Sequence, residues 1–156
     1  QCDIPALQGD LAYTQVAAGV FHTVLLRSDG AAVACGSDAR GQCGIPALHG
    51  DLTYTQVAAG MYHTVLLRSD GAAVACGADD RGQCGIPALH GDLAYTQVAA
   101  GVYHTVLIRS DGAAVACGGN SCGQCDIPAL HGDLAYTQVA AGVYHTVLIR
   151  SDGAAV

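Results

Sequence analysis

Apolar positions along this chain fall in short runs cut by Gly, Asp and Pro, and nowhere do they recur at helical spacing. Residues 104–109 (HTVLIR) are β-branched or apolar at successive positions, the pattern of a strand buried on both faces. Before them, Tyr95, Thr96 and Val98 mix with small residues up to Gly101, where the missing Cβ permits a bulge or sharp turn. Asp111-Gly112 follows, the pair favoured where both central residues of a turn need φ > 0. Residues 113–117 (AAVAC) then return as a third strand. Ile127-Pro128-Ala129-Leu130 starts extended, because Pro128 biases Ile127 away from helix, and is the candidate for a short outer fourth strand. The pattern predicts three or four strands and no helix.

The stretch at 95–118 recurs at 13–36 and 54–77 and begins again at 136. Cys2, Cys43, Cys84 and Cys125 open successive units, an offset of 41 residues. Self-similarity at this period marks a solenoid, a propeller or an array. The chain is therefore read as all-β, a single repeat array over 1–156 with units 1–41, 42–82, 83–123 and a truncated 124–156.

The repeated signature is Val-Ala-Ala-Gly-x-x-His-Thr-Val-Leu, then Asp-Gly, Cys-Gly and Gly-Gln-Cys. It resembles the repeat of the RCC1 (regulator of chromosome condensation) family. The resemblance spans all four units and implies blades of a β-propeller, here an open or partial one, since the family's ring is usually seven-bladed. Two departures stand out: Cys35, Cys76 and Cys117 replace the family's Trp before Gly, and Cys43, Cys84 and Cys125 replace its Leu after Gln. The unit is also shorter than the usual family repeat, which trims the loops.

Composition narrows the function classes. The thirteen acidic residues are all Asp and the six basic ones all Arg, giving a net charge of −7. That charge repels phosphate backbones, so no nucleic-acid partner is expected, and the chromatin role of the family's name-giver is not carried over. No apolar run is long enough for a membrane span. The chain opens at Gln1 without a charged, then apolar, leader, so a signal peptide is expected to be absent or already removed.

Cysteine carries the strongest chemical signal. Cys35 and Cys43, Cys76 and Cys84, and Cys117 and Cys125 recur as C-x7-C, a span that can bring two Cα atoms within disulfide range. Three such staples in an Ala-rich chain would each stabilise by roughly 2–3 kcal/mol and would imply an oxidising compartment. The alternative is reduced thiols packed where the family has Trp and Leu. Cys2 and Cys122 stand unpaired in this scheme. Cys117, Cys122 and Cys125 also mimic an iron–sulfur spacing, but two of them belong to the ordinary repeat and no further ligand is marked out. No metal and no cofactor are expected.

His22, His63, His104 and His145 recur once per unit, and the family resemblance implies packed residues bonding backbone rather than a metal ring. His49, His90 and His131 sit in His-Gly-Asp turns and read as exposed. No Ser-His-Asp or paired-carboxylate set breaks the repeat symmetry, as a catalytic site would, so no catalytic residue is assigned and the chain reads as a non-enzyme.

The units differ most where Ala78, Asp79, Asp80 and Arg81 become Gly119, Asn120, Ser121 and Cys122, a loop expected to face solvent. Two function classes follow: a structural or protein-interaction scaffold, and an extracellular self-assembling filament stapled by intra-repeat disulfides. Partners are expected to be proteins, either other copies of the chain or further repeats of a longer one. Localisation is expected to be extracellular or secretory if the disulfides form, and cytoplasmic otherwise.

Overall fold

The structure, a computed structural model, describes residues 3–156, so Cys2 lies outside the described residues. Each unit folds as one antiparallel sheet. Strands β1 (Tyr13–Ala18), β2 (His22–Arg27) and β3 (Ala32–Gly36) form the first, in the order β1-β2-β3. β4 (Tyr54–Ala59), β5 (His63–Arg68) and β6 (Ala73–Gly77) repeat it, as do β7 (Tyr95–Ala100), β8 (His104–Arg109) and β9 (Ala114–Gly118). The fourth sheet pairs β10 (Tyr136–Ala141) with β11 (Thr146–Arg150), and an isolated bridge joins Ile149 to Ala155.

The central strand of each sheet is the most apolar, and it is buried on both faces as its sequence predicts: every residue of β5 and β8 before the final Arg is buried. Its two faces serve two neighbours. Val24 and Leu26 pack on Tyr54, Val57 and Leu66 of the next sheet, while Val65 and Leu67 pack on Tyr95, Val98 and Leu107 of the one after. Burying each such side chain contributes roughly 1.5–3 kcal/mol. The sheets therefore stack like propeller blades, each sealed only by its neighbour, and no sheet has a core of its own.

Three local features depart from the sequence pattern. The run at 127–130 forms no strand, and among the described residues each unit has at most three. Pro128 has no N–H to offer a ladder; instead its carbonyl accepts a 2.8 Å bond from the Tyr136 hydroxyl, while Ile127 and Leu130 pack on the core. The same tether joins Tyr54 to Pro46 and Tyr95 to Pro87. The Asp-Gly turn places only its Gly at positive φ, Gly112 at 81°, and among the described residues no other residue type takes positive φ. Asp111 holds the turn by another route: its Oδ1 accepts the Ala113 N–H at 3.1 Å and its carboxylate pairs with Arg109. The equivalent pairs Arg27–Asp29 and Arg68–Asp70 hold Asp29 at a pKa of about 2 and lower that of Asp70. Finally, Thr96 is a bulge in β7, the register slipping between Tyr95 and Gln97, and its hydroxyl donates to the Ile108 carbonyl at 3.2 Å.

Candidate functional site

Where blades meet, one residue triad repeats. The Thr105 hydroxyl donates to the Gln83 carbonyl at 2.7 Å. Its single proton is thereby used, so at 3.0 Å from His63 Nε2 it can only accept. His63 is therefore the Nε2–H tautomer. The same relay links His22 through Thr64 to Gln42 and His104 through Thr146 to Gln124. Thus each His reaches the next blade's threonine, which in turn anchors a backbone carbonyl. Burial lowers the pKa of all three histidines; His63, which also feels His22 and His104, falls to about 4. The Nδ1 atoms of these three have no hydrogen-bond partner. His145, on the last blade, is exposed. His49, His90 and His131 are exposed in their turns, apart from this relay. Among the described residues no group of three or more His, Cys, Asp or Glu is placed to hold a metal ion.

Gly60 permits this junction. A Cβ there would lie 2.3 Å from His63 Cε1 and 2.4 Å from the Gly101 carbonyl oxygen of the next blade. Its φ is not positive, so the requirement is close approach and not turn geometry. Gly60 and its equivalents, with the Ala before and the Val or Met after, line a shared open groove of about 270 Å³.

The buried glutamines were not singled out from the sequence, although Gly-Gln-Cys in every unit marks them. Gln42 and Gln83 accept the N–H of Arg40 and Arg81 at their Oε1, both at 2.9 Å, and fold the connecting loop against the relay. Cysteines flank them. Cys76 and Cys117 are thiols directed at the carbonyls of Gln42 and Gln83, each at 3.7 Å. Cys84 and Cys125 are thiols donating to Ala78 and Gly119, and Cys43 donates to Ser37. The first cysteine of each C-x7-C couple thus ends a strand, Cys35 on β3, Cys76 on β6 and Cys117 on β9, and the second lies on the loop that follows. Burial raises Cys76 and Cys117 to about 11 and Cys84 to about 12, so these sulfurs are weak nucleophiles.

On the outside of this layer the loops form a face. Phe21 stacks on Tyr62 with ring centroids 5.1 Å apart. The Arg40 guanidinium lies 5.9 Å from the Tyr62 centroid and pairs with Asp80 at 3.0 Å, while Arg81 lies 5.6 Å from that of Tyr103. In the variable loop, Asp79, Asp80 and Arg81 are exposed, as are Asn120, Ser121 and Cys122. Ala78 is buried and Gly119 half-buried, because both follow directly on a strand, so the solvent-facing part of the loop is shorter than expected. The arrangement offers polar, charged and aromatic groups on a rigid frame, the chemistry of recognition.

The family model for the regulator of chromosome condensation (RCC1) repeat matches residues 13–42, 54–83 and 95–124, more than half of the chain. No curated protein sequence matches. Among solved structures, yeast RCC1 (Prp20) bound to Kap60 is similar at a TM-score of 0.79 and 21% identity, over 97% of this chain and 44% of that one. Prp20p from Saccharomyces cerevisiae, studied for binding to Gsp1p and histones, gives 0.80 and 21%, over 96% and 45%. Human WBSCR16 gives 0.79 and 20%, over 96% and 48%. The chain spans less than half the length of each. At these identities the likeness is one of fold.

Proposed function

The chain belongs to the RCC1-repeat family, and from that premise we propose that it is a non-enzymatic scaffold, structural or protein-binding, whose working surface is the loop face. The observation that carries this reading is the relay from His63 through Thr105 to Gln83. It ties the exposed loop to the blade junction, so the aromatic and charged groups outside it are presented on a fixed frame. Preorganised groups bind without the ordering cost that mobile loops incur. The similar yeast protein is described as bound to Kap60 and tested against Gsp1p and histones, which supports protein partners as a class. Site-specific photo-crosslinking tests the reading. A crosslinker at Asp80 on the loop face is expected to yield discrete protein adducts in cells, and one at His90 in the opposite turn to yield none. Equal labelling from both positions would defeat it.

A second reading is a self-assembling filament, in which the packing of Val24 and Leu26 on Tyr54, Val57 and Leu66 of the next sheet would recur between copies of the chain. The compartment follows the cysteines: reduced couples suit the cytoplasm, bridged ones a secretory or extracellular site.

A further inference from the structure

The loops break the repeat at one pair of positions, and the break leaves an arginine without an anion. Among the described residues, Arg27, Arg40, Arg68, Arg109 and Arg150 each pair with an aspartate. Arg81 pairs with none, and its guanidinium lies 5.6 Å from the Tyr103 centroid. The first junction shows what is missing. Arg40 covers Tyr62 in the same way and reaches forward to Asp80 of the next loop at 3.0 Å. One 41-residue period further on, the same relation runs from Arg81 to Ser121.

The third loop keeps the fold of the second, so Ser121 stands in the place of Asp80. Asp79 Oδ1 accepts the Cys84 N–H at 2.8 Å, and Asn120 Oδ1 accepts the Cys125 N–H at 2.8 Å. Gln83 Oε1 accepts the Arg81 N–H at 2.9 Å, and Gln124 Oε1 accepts the Cys122 N–H at 2.8 Å. In each loop these bonds fix the residues on either side of the changed position. Ser121 is exposed, and its hydroxyl makes a long contact with the neighbouring Cys122 sulfur at 3.9 Å.

The other serines are differently placed. Ser28, Ser69, Ser110 and Ser151 sit in Arg-Ser-Asp turns, where the arginine is already paired with the aspartate. Their Oγ atoms accept backbone N–H groups at 3.1 or 3.2 Å. Ser37 is half-buried directly after β3. A free hydroxyl beside an unpaired guanidinium is found at Ser121.

We propose that Ser121 is a phosphorylation site, its phosphate held by Arg81 as Asp80 is held by Arg40. In a protein kinase the Ser121 oxygen attacks the γ-phosphorus of ATP, and the O–P bond forms as the bond to the β–γ bridging oxygen breaks. ADP leaves with that electron pair, and the hydroxyl proton passes to the kinase's base. The product carries a charge of roughly −1.5 to −2 and three acceptor oxygens, which a guanidinium binds in bidentate fashion. On a chain of net charge −7 the added charge needs a nearby cation, and Arg81 supplies it. The phosphate bridges the second and third loops and withdraws a free guanidinium from the loop face, which switches what that face offers a partner. This switching rests on the scaffold reading, but the test needs no partner, so the two can fail separately.

Phosphopeptide mapping of the protein recovered from the cells that make it is expected to find phosphate on Ser121 and not on the turn serines. A chain with phosphoserine installed at 121 then tests the role of Arg81 by phosphorus NMR titration. Arg81 favours the dianion, so the second phosphate pKa, ordinarily about 6, is expected at least about 0.5 lower, a 3-fold rise in acidity or more. Arg81→Gln, at an exposed position, keeps the fold and is expected to return the value to that of the urea-unfolded chain. An unmodified Ser121 in the cell, phosphate on Ser110 in its place, or a pKa unmoved by Arg81→Gln in a folded chain would each overturn the proposal.

Discussion

His63 Nε2 lies 3.0 Å from the hydroxyl of Thr105, its partner 42 residues along the chain and one blade away. Because that hydroxyl also serves the Gln83 carbonyl, one oxygen joins two blades and a loop. Thr105→Val keeps the shape and removes the oxygen, orphaning a buried N–H and a buried carbonyl. Each orphan costs about 1–3 kcal/mol, so urea denaturation is expected to show a loss of about 2–4 kcal/mol. Thr105→Ser retains the bonds and is expected to lose much less. Equal stability of the two variants would mean the relay does not hold the blades.

The same burial sets a pH dependence. In the unfolded chain His63 has its ordinary pKa of 6.5; folded, it falls to about 4. Between those values the unfolded state binds a proton that the folded state refuses, so stability falls as pH drops from about 6.5 toward 4. For His63 the loss is on the order of 3 kcal/mol, and His22 and His104, also lowered, add in the same direction. Asp29 acts in a separate, lower window: its folded pKa is about 2, so its contribution is lost as pH falls below 3.8. Urea midpoints from pH 7 to 4 check this, and His63→Gln should flatten the upper part of the curve. A curve flat down to pH 4 in the parent chain would contradict buried neutral histidines.

Gly60 offers a sharper contrast. Gly60→Ala drives a Cβ to within 2.4 Å of the Gly101 carbonyl oxygen, which the backbone can relieve only by parting the blades. A loss of several kcal/mol, or failure to fold, is expected from such overpacking. Gly50→Ala meets nothing within 4 Å and bears only the cost of its φ of 64°, roughly 1 kcal/mol. Thermal melts of the two variants separate close approach from turn strain, and similar losses would refute the distinction.

Much of this frame is legible in the sequence, for a physical reason. A strand buried on both faces must be apolar at successive positions, so His104–Arg109 shows itself, and the 41-residue period carries it to every blade. What the sequence hides is whatever depends on a neighbouring blade. Ile127-Pro128 has the local character of a strand, yet no edge receives it and Tyr136 claims the Pro128 carbonyl. The Asp-Gly pair suggests a turn with two positive φ values, but the Arg109 and Ala113 contacts of Asp111 stabilise another form. Gln83 looks like a surface residue and is buried, because its Oε1 closes a loop on its own backbone.

The thiols make a testable order of reactivity. Cys122 is exposed, whereas burial holds Cys76, Cys84 and Cys117 at about 11 to 12. Alkylation of native, reduced protein at pH 8 is expected to modify Cys122 first and the other three only on unfolding. Oxidation is expected to couple Cys76 to Cys84 and Cys117 to Cys125, following the C-x7-C spacing, rather than to join blades through Cys84 and Cys117. Peptide mapping after diamide treatment decides between these, and a Cys84–Cys117 product would remove the intra-unit staple.

The last prediction concerns the ends of the stack. In the interior, His104 reaches Thr146 on the blade that follows it, and Val106 is sealed to 0% exposure. On the last blade His145 is exposed and Val147 is 41% exposed; on the first, Val16 is 68% exposed. Since the units are near copies, on the filament reading the first blade of one chain would cover the last blade of another, with His145 of one copy placed against Thr23 of the next as His104 is against Thr146. Such a contact is head to tail, and it repeats until the accumulated rotation closes a ring or, failing that, extends a filament. Light scattering is therefore expected to give a mass that rises with concentration in steps of the 15.7 kDa chain. Val16→Asp puts a charge into the contact and is expected to hold the chain as a monomer with its fold unchanged, since Val16 is 68% exposed within its own chain. Thr23→Val should weaken association by removing the acceptor for His145. A compact monomer persisting at high concentration in the parent chain would mean that the exposed faces do not recognise one another, and the filament reading would go with it.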